Sequence, residues 1–218
     1  MCIICKKNCD QNTKYITCCV DVTEIPYLPN LESLDCSDTK IKEIPLLPKL
    51  SWLQCANTRI TKIPILPNLE YLYCLYTHIT EIPLLPNIKE LWVGHTHVTE
   101  IPLSPDLKDL NCKYTRISEI PYLPNLESLV CHNTQITKIP LLPNLEYLDC
   151  NNTFITELPK FEHCAIYSSG TWIKANKERI ASVICIQNKI RKVGQLRITS
   201  LFKSIDTYSD LLYILKLY

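Results

Sequence analysis

The sequence predicts a β-rich solenoid in which short repeats each add one strand to a parallel sheet. The first observation is a repeat of 19 residues, since residues 28–46 are followed in register by residues 47–65 and the pattern continues to Pro159. The second is a set of fixed apolar columns running through all seven units. The third is proline, with 15 residues in the chain and two recurrent positions in each repeat, which excludes an α-helix there.

The fixed columns place one short strand in each repeat. A leucine column and a column of cysteine with one valine stand two residues apart, so both side chains point to one face of a strand. These columns are Leu34, Leu53, Leu72, Leu91, Leu110, Leu129 and Leu148, and Cys36, Cys55, Cys74, Val93, Cys112, Cys131 and Cys150. Stacked strands of this kind form a parallel sheet whose inward face must be covered. The isoleucine columns beginning at Ile41 and Ile44 lie on the return arm, and we expect them to cover it in an extended, non-helical conformation.

The segment Leu31-x-x-Leu34-x-Cys36-x-x-Thr39-x-Ile41 resembles a leucine-rich repeat, whose family pattern is Leu-x-x-Leu-x-Leu-x-x-Asn-x-Leu. The resemblance implies a curved solenoid with a concave parallel sheet and a proline-rich, non-helical convex side. The trailing Ile-Pro-x-Leu-Pro is similar to the short repeats of secreted bacterial effectors. The composition of the repeats, rich in cysteine and isoleucine, also resembles that of leucine-rich repeat proteins of giant viruses that infect amoebae (mimivirus-like). Threonine replaces the asparagine that forms a ladder to backbone groups in the family, so we expect a threonine ladder.

Three regions follow from where the repeat begins and ends. Residues 1–27 are predicted to form a cysteine-rich N-terminal cap with a degenerate first coil, and residues 28–160 form seven repeats. Residues 161–218 lose the proline and gain basic residues and helical spacing, which predicts a basic helical C-terminal cap over the exposed end of the last repeat. The alternatives for this tail are a recognition helix and a surface for anionic membranes. The run Ile186-Gln187-x-x-x-Arg191 resembles the first half of an IQ motif, which in its family binds calmodulin-like proteins.

Cysteine and histidine offer the possible metal ligands. Because Val93 completes the cysteine column, a buried thiol acting as a small apolar group explains that column better than a row of disulfides or metal sites. At the N-terminus, a half zinc site, acylation and plain capping thiols stay open for Cys2, Cys5, Cys9, Cys18 and Cys19. His78, His95 and His97 lie close enough in the repeats to hold a metal, but their columns vary like an ordinary surface. We therefore predict no metal and no cofactor.

Composition excludes several classes of function. A net charge of +1 is too balanced for a protein that binds nucleic acid by neutralising phosphates. Three scattered glycines cannot build a phosphate-binding loop, and no Ser-His-Asp or Cys-His set stands out, so we predict no enzyme. The alternatives are an effector-like enzyme using Cys164 or Cys185 of the tail, and a structural viral component. With no targeting segment and no membrane span in the sequence, we expect a cytoplasmic monomer, in the host cell if the protein is viral.

A binding surface is predicted on the outward face of the strands. The residues that flank each column leucine point away from the core, and in repeats two to four they are mostly aromatic. Exposed aromatic residues at this density are typical of an interface, although cross-strand stacking that only stiffens the sheet is the alternative. The sequence therefore predicts a protein–protein interaction module that binds an unknown partner on its concave face, with a host protein as one candidate. The predicted binding residues are Trp52, Tyr71, Tyr73, Leu75, Tyr76 and Trp92.

Overall fold

A computed structural model describes residue 4, residues 9–161 and residues 163–171. Within these residues, nine strands of three residues each form one parallel sheet in chain order. The strands are β1 Tyr15–Thr17, β2 Ser33–Asp35, β3 Trp52–Gln54, β4 Tyr71–Tyr73, β5 Glu90–Trp92, β6 Asp109–Asn111, β7 Ser128–Val130, β8 Tyr147–Asp149 and β9 Ala165–Tyr167. The predicted β-rich solenoid is confirmed, and no helix occurs in this part of the chain.

The strands pair in strict register because the repeat length is constant. Leu34 lies beside Leu53 and Leu53 beside Leu72, and the same step of one repeat continues along the sheet to β8. From β2 to β7 each strand has a fully buried middle residue between two half-buried neighbours. The alternation expected for a strand with one buried face is therefore present in each coil.

The core is filled by the predicted columns. The column leucines are fully buried from Leu34 to Leu148, and so are the column cysteines and Val93. The five thiols from Cys36 to Cys131 are free, and burial raises the pKa of each, to about 12 for Cys112. A protonated thiol behaves as a small apolar group, which confirms the packing interpretation of this column.

The threonine column closes the turn after each strand. The Thr39 hydroxyl donates to the Cys36 carbonyl at 2.7 Å, and from Thr58 to Thr153 each threonine makes the same bond in its own coil at 2.6–2.8 Å. The expected threonine ladder is therefore wrong in one respect. These hydroxyls donate to a carbonyl of their own coil, whereas backbone amides connect neighbouring coils.

The return arm is non-helical, as predicted. Asparagine side chains connect its neighbouring coils. The Asn68 amide donates to the Pro48 carbonyl at 2.7 Å, and Asn87 donates to Pro67 at 2.8 Å. Because proline has no N–H, the asparagine side chain supplies the donor that the backbone of this corner lacks.

The solenoid continues beyond the boundary drawn at residue 160. Strand β9 pairs with β8, with Ala165 beside Tyr147, a step of 18 residues instead of 19. Ser168 occupies the cysteine position and is buried, and the Thr171 hydroxyl donates to its carbonyl at 2.6 Å. Residues 163–171, which the sequence assigned to the cap, thus form another coil. The predicted helical cap and the IQ-like run beyond residue 171 lie outside the described residues, as do Cys2 and Cys5.

Candidate protein-binding face of the sheet

Two columns of side chains cover the outward face of the sheet, one on each side of the buried leucine. In β3, β4 and β5 these positions carry five large or charged groups whose side chains are half-buried by one another: Trp52, Tyr71, Tyr73, Glu90 and Trp92. Neighbouring strands in a sheet lie about 4.8 Å apart, so side chains in one column touch directly.

Three of the rings form a cluster in which none stacks flat on another. Trp52 and Tyr73 have centroids 5.9 Å apart with planes tilted by 58°. Tyr73 and Trp92 meet edge to face, with centroids 5.0 Å apart and planes at 84°. Tilted and edge-to-face pairs are favourable geometries for aromatic rings, so the cluster is stable as it stands. We call Trp52, Tyr73 and Trp92 the aromatic cluster.

Two carboxylates hold the rings in place. The Tyr73 hydroxyl donates to Glu90 Oε2 at 2.5 Å, and Trp92 Nε1 donates to Asp109 Oδ1 at 2.9 Å. Burial, and then the hydrogen bond to Glu90, raises the pKa of Tyr73. Burial also raises the pKa of Asp109, although the bonds from Trp92 and Ser128 act in the opposite direction. Tyr73 and Trp92 are thus each fixed by an acidic group on the next strand.

The aromatic cluster borders an open hollow of about 350 Å³ on the sheet face. Its lining residues are Trp52, Gln54, Ala56, Tyr73, Leu75, Glu90 and Trp92. A volume of this order is sufficient for a large side chain or a small ligand. The small Ala56 side chain stands in the column that carries Leu75 one coil later, which leaves space beside the rings.

The structure brings four of the six predicted binding residues together. Trp52, Tyr73, Leu75 and Trp92 line the hollow, whereas Tyr71 lies on the same face between Trp52 and Glu90 and does not line it. Tyr76 is in the turn after β4 with 57% of its surface exposed. Sequence reasoning missed Glu90 and Asp109 as partners of the rings, although both occupy the outward columns from which the rings were selected.

Tyr76 belongs to a separate row of rings, which we call the turn ladder. His95 lies between Tyr76 and Tyr114, with centroid distances of 4.2 Å and 4.3 Å and planes within 20° of parallel. All three residues have φ between +54° and +58°, a conformation that few side chains adopt without strain. Burial, and secondly the charge of Lys113, lowers the pKa of His95.

The histidines considered as metal ligands are divided between two stacks. His78 and His97 pair with each other at 6.2 Å, whereas His95 is in the turn ladder. Cys9, Cys18 and Cys19 are half-buried near the N-terminus. Among the described residues, no group of three or more potential ligands could hold a metal ion.

A second exposed surface was missed by the sequence reasoning. The residue after the first proline of the arm is apolar and about 60% exposed in seven consecutive coils. It is the x of Ile-Pro-x-Leu-Pro, or of Ile-Pro-x-Ser-Pro in the coil of Leu103. We call this column the apolar stripe, and it consists of Tyr27, Leu46, Ile65, Leu84, Leu103, Tyr122 and Leu141. The repeat itself indicated this stripe, because an exposed column has no packing reason to remain apolar in every coil.

Comparisons with known proteins identify the fold. Residues 124–163 match the family model of leucine rich repeats (2 copies). YopM from Yersinia enterocolitica is 28% identical over 74% of this chain and 38% of its own, with a TM-score of 0.67. YopM of Yersinia pestis, described as a leucine-rich effector protein, is 26% identical over 78% of this chain and 51% of its own, with a TM-score of 0.68. No curated protein sequence matches the chain.

A third solved structure is similar, a leucine-rich repeat protein from Leptospira interrogans. It is 26% identical over 71% of this chain and 53% of its own, with a TM-score of 0.56. This chain therefore spans between about two fifths and half of the length of these structures. The fold is that of a leucine-rich repeat solenoid. The likeness to giant-virus proteins stays a prediction, and the described part of the chain has no helix long and apolar enough to cross a bilayer.

Proposed function

We propose that this protein is a non-enzymatic protein-interaction module whose partner binds the outward face of the sheet at the aromatic cluster. The observation that carries the proposal is the hollow bordered by Trp52, Tyr73 and Trp92, in which large rings are held in fixed positions on a solvated surface. Tryptophan and tyrosine are the residues that most often dominate binding energy at interfaces. Fixed rings lose little further conformational entropy when a partner binds.

The similar solved structures add support to this proposal. The YopM proteins are similar over about three quarters of this chain, and one of them is described as an effector. By analogy, we place this protein in the cytoplasm of a cell that contains its partner, where the five free buried thiols from Cys36 to Cys131 would stay reduced. The enzyme alternative through Cys164 or Cys185 keeps no supporting observation in the described residues, and Cys185 lies outside them.

Capture from a cell lysate, with bound proteins identified by mass spectrometry, tests this proposal. The resemblance to proteins of amoeba-infecting viruses makes an amoebal lysate the first choice. Replacing Trp52 and Trp92 together by alanine is expected to weaken capture about ten-fold or more, since truncating a dominant interface residue costs roughly 2 kcal/mol or more. The circular dichroism spectrum and melting temperature should change little.

The matched control is Tyr147→Ala, which removes a ring from the same sheet at β8, outside the hollow. Capture should be unchanged by this variant. Equal capture by the wild type and a folded Trp52→Ala/Trp92→Ala variant would contradict binding at the aromatic cluster. In that case Leu84→Ser and Leu103→Ser, in the apolar stripe, would be the next variants to examine.

A further inference from the structure

We propose that the hollow binds a basic side chain of the partner protein, which the rings of the aromatic cluster and the carboxylate of Glu90 hold together. The inference deepens the proposed function and depends on it, since it names the chemistry of the group that enters the binding site. Three features of the described residues support it: rings that are not stacked face to face, acidic groups without a cationic partner, and a carboxylate oxygen that accepts no hydrogen bond.

The rings of the aromatic cluster are not stacked face to face. With planes tilted by 58° and 84°, none lies parallel over its neighbour, and all three rings line the hollow. In the turn ladder, by contrast, planes within 20° of parallel cover the faces with neighbouring rings. The face of an aromatic ring carries negative partial charge and attracts a cation placed within about 6 Å of its centre, tryptophan most strongly.

The carboxylates beside the rings have no cationic partner in the described part of the chain. Lys89 pairs with Glu70 at 2.7 Å and Lys108 pairs with Glu127 at 2.8 Å, although each lysine is adjacent in sequence to Glu90 or Asp109. The two basic side chains closest in sequence are therefore already paired with other carboxylates. The hollow is left with a negative charge that a basic group of a partner would balance.

One oxygen of Glu90 is available for that group. Glu90 Oε2 accepts the bond from the Tyr73 hydroxyl, whereas Oε1 accepts no hydrogen bond from any described residue. A guanidinium group is planar, stacks on aromatic faces and donates to carboxylates, so arginine combines both kinds of contact. Glu90 lines the hollow directly, which places this oxygen where a bound side chain would end.

The binding experiment uses N-acetylarginine amide as the probe and the full chain as the protein. The indole N–H signals of Trp52 and Trp92 are followed by NMR and assigned with single Trp→Phe variants. We expect saturable shifts of both signals with N-acetylarginine amide, and binding at least about five-fold weaker for N-acetylcitrulline amide, which has the same shape without the charge. Equal shifts with both compounds, or no shift with either, would overturn the inference.

Glu90→Gln is the matching variant because the amide oxygen can still accept from Tyr73. It should weaken binding of the arginine probe roughly three-fold, whereas Glu127→Gln, an exposed carboxylate outside the hollow, should leave binding unchanged. The near-equal effect of both variants would overturn the role of Glu90.

Partner capture separates the inference from the proposed function. If Trp52→Ala/Trp92→Ala loses capture but Glu90→Gln/Asp109→Asn retains it fully, the sheet face binds the partner without a basic side chain and only the inference fails. If capture survives the tryptophan changes, the proposed function fails, and the inference about the partner fails with it even where the arginine probe binds.

Discussion

The inward and outward faces of the sheet carry side chains with different roles. The inward face repeats leucine and cysteine from coil to coil, and every one of these residues is fully buried from β2 to β8. The outward face changes from Trp52 and Tyr73 in the middle coils to Val130 and Asp149 near the end, on a backbone of the same register. The backbone is thus set by the constant face, and recognition is left to the variable face.

The strongest way to break this comparison is to place a charge on the constant face. Cys74 is fully buried, and the equivalent position is Val93 one coil later. Cys74→Asp should therefore lower the free energy of unfolding by more than about 3 kcal/mol, because a buried carboxylate has no partner there. Cys74→Val should change it by less than about 1 kcal/mol. Urea unfolding followed by circular dichroism measures both, and similar midpoints for the two variants would contradict the core assignment.

Alkaline pH should act on the same face without any mutation. Burial raises the pKa of the five column thiols from Cys36 to Cys131 above its ordinary value, so the folded protein retains protons that the unfolded chain releases. Their contribution to stability is full below about pH 9 and falls as the pH rises toward the folded-state values, at up to about 1.4 kcal/mol per pH unit for each thiol.

The measurement is the free energy of unfolding between pH 8 and pH 11. In Cys74→Val/Cys112→Val, two of these thiols are gone, so the decline with pH should be shallower than in the wild type. Parallel curves would show that other groups, such as tyrosine and lysine, cause the decline.

The constant face could be read from the sequence, and most of the variable face could not. Period-two spacing of Leu53 and Cys55 defines the buried side of a strand by geometry alone, and proline excludes a helix on the arm. The direction of an aromatic ring cannot be predicted in this way, because it depends on which neighbouring group the ring contacts. Sequence placed Tyr73 and Trp92 on the sheet face, but their bonds to Glu90 and Asp109 depend on rotamers that only packing selects.

Two further differences have local causes. Strand alternation predicts the direction of Leu75 but fails at Tyr76, where φ of +55° reverses the chain in the turn. Strand β9 escaped the repeat pattern because Ile166 and Ser168 replace leucine and cysteine and the step shortens by one residue. A pattern built on constant spacing cannot detect a unit that changes both its length and its residues.

The smallest expected effect concerns the two rows of rings. If the turn ladder stabilises the turns and the aromatic cluster binds the partner, His95→Asn should affect stability alone. Asparagine already occupies this position, with positive φ, at Asn57 and Asn133, so the backbone should accept it. Losing contact with Tyr76 and Tyr114 should lower the free energy of unfolding by about 1 kcal/mol at pH 7.5, the scale of aromatic pairs.

The pH dependence of the stability difference between wild type and His95→Asn identifies the stacking of His95 on Tyr76 and Tyr114 as its cause. Because burial lowers the pKa of His95, the neutral ring is favoured in the folded chain, and its contribution is present above about pH 6.5 and lost as the pH falls below it. The gap in stability between wild type and His95→Asn should therefore narrow at pH 5. Binding of N-acetylarginine amide should be the same for both proteins at pH 7.5, since His95 does not line the hollow. A loss of probe binding in this variant would mean that the turn ladder and the aromatic cluster act as one site.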